Sequence, residues 1–498
     1  MRNRLALGAL VGSLIVGQLA CRSRAQVAGD ETFDTVVMSG RVMDPESGLD
    51  AVRNIGIREG RIAVIADSPL RGREVIDARG LVVAPGFIDL HAHGQTERDA
   101  RLQAQDGVTT ALDMEVGVYP AAAWYAQREG RSPIHFGASA GHMPARIKLK
   151  DGVDLGHHVT NPAYKTLQRK FAQEEATDED VDRLMGFIEQ AIDQGALGVG
   201  LGIEYVPVAS RMEILRAFQV AARHGVCAFV HVRSSGVLEP ASGLASVQEA
   251  MADAAATGAC LHLVHITSVA LSSTATALAL IEGARAQGRD ISTEVYPYTA
   301  ASTRIESNLF SDGWQRRLGI SYRDLQWPAT GERLTEQTFR KYREQRGWVI
   351  IHSIPAPVVD LAIKHPAALV ASDAIPFDTH GEHPRGSGTF SRVLGYYVRE
   401  RGLLSLMEAL RKMTLQPAQR LERFVPQMRQ KGRLRVGADA DISVFDAATI
   451  ADRGTYEKPM VASAGIAHVM VNGTFIVKAG KYVEGVYPGK GIRRPQHD

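Results

Sequence analysis

Cysteine is scarce: the chain has three in 498 residues. That is too few for a disulfide framework, and Cys227 and Cys260 sit inside apolar, strand-like runs where they read as small buried residues. An excess of either charge is missing as well, with 57 Lys and Arg against 55 Asp and Glu. The formal charge is +2, and without a Lys/Arg run or a basic–aromatic stripe there is no electrostatic footprint for a nucleic acid. Beyond the N-terminus no apolar stretch reads as long enough to span a membrane, which takes about 20 residues. What remains is globular composition, 45% hydrophobic and 22% charged, suited to one large α/β domain with a smaller companion.

The N-terminus has a texture of its own. Arg2 and Arg4 precede an apolar stretch from Leu5 to Ala20, after which the chain turns polar. This is the pattern of an export signal, read over residues 1–25. Ser23 and Ala25 offer a small-x-small cleavage site before Gln26; a lipid anchor at Cys21 is the second choice, because Gln18 holds a position that is usually aliphatic. The protein is expected to be exported, periplasmic or secreted, with no membrane partner beyond export or that anchor.

From residue 26 to 83 short apolar runs alternate with Gly, Asp and Pro turns, and the same texture returns over 434–498 in "GADADISVFDA" and "IAHVMVNGTFIVKAGKYV". The two ends are expected to build one β-sandwich. Between them, over 84–433, apolar strands alternate with helical patterns such as "DEDVDRLMGFIEQAIDQG", as parallel strands with crossover helices do. The strand candidates are "GFIDLH", "VTTALDME", "PIHFGASAGH", "GALGVGLGIE", "GVCAFVHV", "CLHLVHI", "DISTEVYP" and "AALVASD". They are enough to close a (β/α)₈ TIM barrel. Their ends carry His91 and His93, Glu115, His142, Glu204, His231, His265 and Asp373, and a barrel gathers all strand C-termini around one mouth.

A divalent metal takes imidazole nitrogens and carboxylate oxygens and, for catalysis, keeps one position open. His91 and His93, at i and i+2 on a strand, point the same way and can reach one ion, while His231 and His265 approach from the far side. A lone histidine in such a place reads as a hydrogen-bonded core residue. Four at strand ends, with Asp373 closing the last strand, read as a metal site.

These residues carry a resemblance. "PGFIDLHAH" with the later "HVR", "VHITS" and "SD" is similar to the metal-dependent amidohydrolase superfamily, whose barrel is flanked by a sandwich from both termini. "GALGVGLGIEYVP", "EVYPYTAAST", "HPRGSGTFSRVLGYYVRE" and "GADADISVFDAATIADRGTYEKP" resemble its D-aminoacylase branch, the N-acyl-D-amino-acid deacylases. The resemblance implies hydrolysis of a C–N amide bond in a small-molecule substrate, an N-acyl-D-amino acid. It implies one or two divalent ions, zinc first, bound by His91, His93, His231 and His265 with a bridging ligand from the second strand.

In that branch the bridge is a cysteine, whereas this chain reads "ALDMEVGV". Glu115 is the natural substitute, Asp113 the runner-up and Glu204 a third choice. A carboxylate there also admits manganese, iron or cobalt. Asp373 resembles the general base, taking a proton from water and passing it to the departing amine. For the substrate carboxylate the resemblance points to Arg385 in "HPRGSG", whose guanidinium binds carboxylates bidentately, with Tyr298 adding a hydroxyl. Thr267 stands where the branch has a lysine. His157, His158 and His352 receive no role. The alternatives are a cyclic-amide hydrolase or metallo-dipeptidase of the same superfamily, and a non-catalytic exported binding protein; the sequence sets neither metal identity, substrate side chain nor oligomeric state.

Overall fold

The computed structural model describes residues 32–166, 168–377 and 383–495, so the signal reading over 1–25 and the Cys21 anchor lie outside the described residues. The chain opens with β1 (Thr32–Asp44), β2 (Leu49–Arg58), β3 (Arg61–Ala66), β4 (Arg71–Asp77) and β5 (Val82–Pro85). Seven parallel strands follow: β6 (Phe87–Asp89), β7 (Val108–Val118), β8 (His135–Gly141), β9 (Val199–Gly202), β10 (Cys227–His231), β11 (Cys260–Leu263) and β12 (Ile291–Val295). An insertion contributes β13 (Ala301–Arg304), β14 (Leu325–Gln326) and β15 (Trp348–Ile351) before the eighth parallel strand, β16 (Ala368–Val370). The chain ends with β17 (Ile442–Phe445), β18 (Ile466–Val471), β19 (Thr474–Lys478) and β20 (Lys481–Tyr482).

The eight parallel strands run in the order β16-β12-β11-β10-β9-β8-β7-β6, so each strand expected from the sequence is present and neighbours the next. Every one of their residues is buried, as strands covered on both faces must be. The ring closes between its first and last strands: the His93 amide donates to the Ala374 carbonyl at 2.7 Å, and the Ser372 amide donates to Asp89 Oδ1 at 3.0 Å. Asp89 also accepts from the His91 amide at 3.1 Å. One buried carboxylate thus holds the turn bearing the first histidines against the strand that delivers Asp373. The helical patterns form where expected. Thr177 caps the helix Asp178–Asp193, and Val181, Leu184, Met185, Ile188 and Ile192 line its buried face.

The two chain ends share one nine-stranded sheet, joined where β5 runs antiparallel to β17, Val82 against Phe445 and Pro85 against Ile442. β1 changes register between Val37 and Gly40, so its first half pairs with β4 and its second with β5. Val37, Ile55, Ile57, Val83, Ile442 and Met470 form a core distinct from that of the barrel.

Three features depart from the sequence reading. Cys227 and Cys260 do not remain two separate small residues: they face each other in register on β10 and β11 and form a disulfide. Spacing alone hides this, because 33 residues and a helix separate them while the sheet makes them neighbours. The chain-entropy argument for a loop of that length gives about 3–4 kcal/mol. The double variant Cys227→Ala/Cys260→Ala is therefore expected to lower unfolding stability by about that amount. Denaturant titration against the oxidised wild type measures it, and an unchanged midpoint would mean that the crosslink constrains little in the unfolded chain.

The helical run Ile266–Ala286 does reach the length and apolarity of a membrane span, contrary to the expectation that no such segment follows the N-terminus. Half of its apolar window is buried in the protein, where it packs on the barrel. Finally, the stretch between β12 and β16 is more than a connection. β13, β15 and β14 form a small antiparallel sheet with its own core, including Phe310, Trp314, Trp327, Phe339 and Tyr342.

Candidate metal centre

His91 and His93 follow β6 directly, and their Nε2 atoms lie 3.0 Å apart. Both face one oxygen of Glu115, which β7 carries to the same mouth: Oε2 is 2.7 Å from His91 Nε2 and 3.1 Å from His93 Nε2. Asp373, just beyond β16, places Oδ1 3.4 Å from His91 Nε2 and 3.6 Å from His93 Nε2. The other oxygen of Glu115, Oε1, lies 3.0 Å from Nδ1 of His231 at the end of β10. His265, just beyond β11, stacks edge-on to His231 with ring centroids 4.7 Å apart. The Ser268 hydroxyl donates to the His265 carbonyl at 2.9 Å and lies 3.0 Å from His265 Nδ1, so that Nδ1–H can donate to its oxygen and leave the Nε2 lone pair for another partner.

Two groups of donor atoms therefore share one carboxylate. His91, His93, Glu115 and Asp373 converge on one side, and Glu115, His231 and His265 on the other. Although His231 Nδ1 and Glu115 Oε1 are close, neither has a hydrogen-bond partner. Both are buried, and leaving such atoms unsatisfied costs about 1–3 kcal/mol each unless something compensates them. Burial alone would raise the Glu115 carboxyl, but contacts with His231, His91 and His93 hold it well below the ordinary range, so it is ionised. His265 and Asp373 both have positive φ, 32° and 52°. Non-glycine residues held there are concentrated at functional sites.

Three of the four imidazoles are oriented from behind by a carboxylate, and His265 by the Ser268 hydroxyl. His91 Nδ1 donates to Glu294 Oε1 at 2.5 Å, and Glu294 Oε2 accepts from His262 Nε2 at 2.9 Å. His93 Nδ1 donates to Asp113 Oδ2 at 2.9 Å, which His157 Nε2 also contacts. His231 Nε2 donates to Glu204 Oε2 at 3.0 Å, and the Ser235 hydroxyl donates to that oxygen at 2.6 Å. Asp113 and Glu204 thus lie behind the imidazoles, while Glu115 lies between the two histidine pairs; Asp113 also forms a third group of donor atoms with His93 and His157. Asp113 Oδ1 is further occupied by the amides of Val116 and Gly117, both at 3.0 Å. Such partners fix ring orientation, and losing one typically costs 10–100-fold in metal affinity. Glu204→Gln is accordingly expected to release metal about 10–100-fold more readily on dialysis against a chelator, read by elemental analysis. Unchanged retention would remove Glu204 from this role.

Glu294, His262 and His157 escape a reading of strand ends, for Glu294 and His262 lie within β12 and β11. The available signal was chemical: a glutamate inside the apolar run "ISTEV" and a histidine inside "CLHL" call for partners. His142, though at a strand end, belongs elsewhere, donating from Nε2 to Glu213 Oε1 at 2.7 Å. His352 sits after β15, where its Nε2 pairs with Gln326 Oε1 at 2.9 Å.

The expected substrate contacts fare differently. Arg385 is fully buried beside the centre, with Nη1 2.9 Å from Asp373 Oδ2. Tyr298 is not a cavity residue: its hydroxyl lies 3.3 Å from Asp452 Oδ2, and its ring stacks under Arg392. Tyr296 lines the inner pocket instead, with the Arg385 guanidinium 4.9 Å above its ring. Outward from the metal ligands opens a cavity of about 1180 Å³ including its mouth, walled by Ser302, Arg304, Glu306 and Ser307 and by Tyr164, Arg169, Arg343 and Trp348.

Residues 74–477 match the model of the amidohydrolase family. The chain belongs to that family. It is similar to the N-acyl-D-glutamate deacylase of Alcaligenes xylosoxydans xylosoxydans, 32% identical over 89% of this chain and 93% of that protein. The D-aminoacylase of the same organism is 30% identical over 89% of this chain and 94% of its own length. Among solved structures, N-acyl-D-glutamate deacylase from Bordetella bronchiseptica, complexed with zinc and a phosphonate inhibitor, superposes with a TM-score of 0.78 at 27% identity, covering 93% of this chain and 100% of that one. This amidohydrolase is an enzyme, a metal-dependent hydrolase of C–N amide bonds that acts on a small molecule with a divalent metal.

Proposed function

We propose that this amidohydrolase deacylates N-acyl-D-amino acids, releasing the free amino acid and a carboxylate, with zinc held by His91, His93, Glu115, His231 and His265. The observation that carries the reading is Glu115, whose two oxygens face the His91/His93 and the His231/His265 sides in a chain that aligns over 89% of its length with an N-acyl-D-glutamate deacylase and a D-aminoacylase. When bound, the metal supplies a Lewis acid for the acyl carbonyl and lowers the pKa of water.

The remaining chemistry belongs to side chains. Asp373 accepts a proton from the attacking water and delivers it to the amine nitrogen as the C–N bond breaks. Burial raises its carboxyl above the ordinary aspartate value, against the pull of Arg385, His91 and His93. Arg385 holds this carboxylate in place and offers its remaining donors to the substrate α-carboxylate, together with the hydroxyls of Ser302 and Tyr296 in the inner pocket. Ser302 Oγ is buried without a partner, as a group awaiting a ligand is. The protein is proposed to work outside the cytoplasm, the place to which residues 1–25 would direct it.

The test is the purified, metal-loaded protein against a panel of N-acetyl-D- and N-acetyl-L-amino acids, dihydropyrimidines and dipeptides, following amine release. The D-series is expected to turn over in preference to the L-series, with metal removal abolishing the activity. Turnover of cyclic amides or dipeptides alone would replace this reading.

A further inference from the structure

The outer cavity carries positive charge that the reaction at the metal centre does not use. Arg169, Arg304 and Arg343 line it, and the one carboxylate among the described lining residues outside the centre is Glu306. That carboxylate is shared: Oε1 accepts from Arg304 Nε at 2.8 Å and from Arg169 Nη2 at 3.1 Å. The two guanidiniums are held further by the Tyr164 ring, at 5.4 Å from Arg304 and 5.2 Å from Arg169, with Trp348 5.7 Å from Arg304. Arg343 spends its Nη1 on the carbonyls of Ile305 and Phe310. Arg304 Nη2 and Arg169 Nε are nevertheless buried without a partner, and so is the Ser307 hydroxyl beside them on the wall.

Unmet donors on immobilised guanidiniums, next to a hydroxyl and in excess of one carboxylate, form a receptor for a second oxyanion. Arg169 and Arg304 line the outer cavity and not the inner pocket of Tyr296; the two spaces meet at Ser302 and Thr303, and the receptor lies outward of that boundary. Thr267, fully buried, brings no cation to the near end.

We propose that Arg304 and Arg169 form a second carboxylate subsite and that the preferred substrates are dicarboxylates, carrying an anion remote from the scissile amide in addition to the α-carboxylate. This rests on the deacylase reading. The second carboxylate can come from the amino-acid side chain or from the far end of the acyl group, and the substrates separate the two: N-acetyl-D-glutamate carries it on the side chain, N-succinyl-D-leucine on the acyl group, and N-acetyl-D-leucine lacks it.

Steady-state kinetics on the metal-loaded wild type should show kcat/KM at least about 10-fold higher for one of the dicarboxylates than for N-acetyl-D-leucine. In Arg304→Gln that preference should shrink by about 10- to 100-fold, chiefly through KM. Arg304→Lys, which keeps the charge and the Glu306 contact but loses the fork, should fall between, and it guards against misfolding of the glutamine variant. A wild type without preference, or a preference that Arg304→Gln leaves intact, overturns the subsite. Calorimetric titration with glutarate reads the same site without turnover, with binding weakened about 10-fold or more in Arg304→Gln. Equal glutarate binding in both proteins also overturns it. Arg304-dependent glutarate binding with no hydrolysis of any of the three substrates supports the subsite and overturns the deacylase reading instead.

Discussion

Asp373→Asn should cost turnover by about 10²–10⁴-fold while the fold and most of the bound metal remain. The carboxylate sits between the His91/His93 pair and Arg385, within 3.6 Å of both imidazoles and 2.9 Å of the guanidinium, where water and the amine nitrogen must exchange a proton. Asparagine has the same shape and tolerates the left-handed backbone at φ 52° better than most residues, so the substitution isolates the proton from the geometry. An amide can donate but cannot accept the proton. The checks are kcat with N-acetyl-D-amino acids, metal per chain and thermal midpoint, taken together. Near wild-type kcat would remove Asp373 from proton transfer.

Glu115→Gln is expected to act on the metal first. The amide keeps one good acceptor oxygen and no charge, while both oxygens of the native carboxylate are engaged, Oε2 towards His91 and His93 and Oε1 towards His231. The ion beside His231 and His265 should be released by more than the roughly 10–100-fold typical of an outer partner, with activity falling in step. Glu115→Cys restores the soft ligand of the resembled branch and should shift retention towards zinc over manganese or cobalt. Elemental analysis after dialysis against a mixture of the ions reads both variants. Full metal content in Glu115→Gln, with only a modest loss of affinity, would move Glu115 behind the ligands.

What could be read from the sequence follows from how each feature is encoded. The barrel strands are buried on both faces, so they appear as short apolar runs, and the polar residues at their ends stand out against that background. This exposed His91, His93, Glu115, His231, His265 and Asp373. Glu294 and His262 point into the barrel within their strands and are bonded across neighbours, so their pairing appears only once β11 and β12 lie side by side. Tyr298, expected to add a hydroxyl at the substrate, instead faces Asp452, for a local reason. β12 ends at Val295, and past that point alternate residues no longer share a face. The disulfide was hidden because register, which no spacing encodes, decides that Cys227 meets Cys260. The insertion was missed because its strands are two to four residues long, too short for any period to show, although it supplies Ser302, Arg304 and Trp348 to the cavity.

The joint between β5 and β17 also bears on how the molecule is made. β5 ends at Pro85 and its partner begins only at Ile442, so one edge of the N-terminal strands must wait for nearly the whole chain. At synthesis rates of about 5–20 residues per second the delay is roughly 20–70 s. An apolar, unpaired edge is a template for pairing with other chains. Until β17 arrives, the free edge of β5 is therefore open to pairing with a second copy of the same chain.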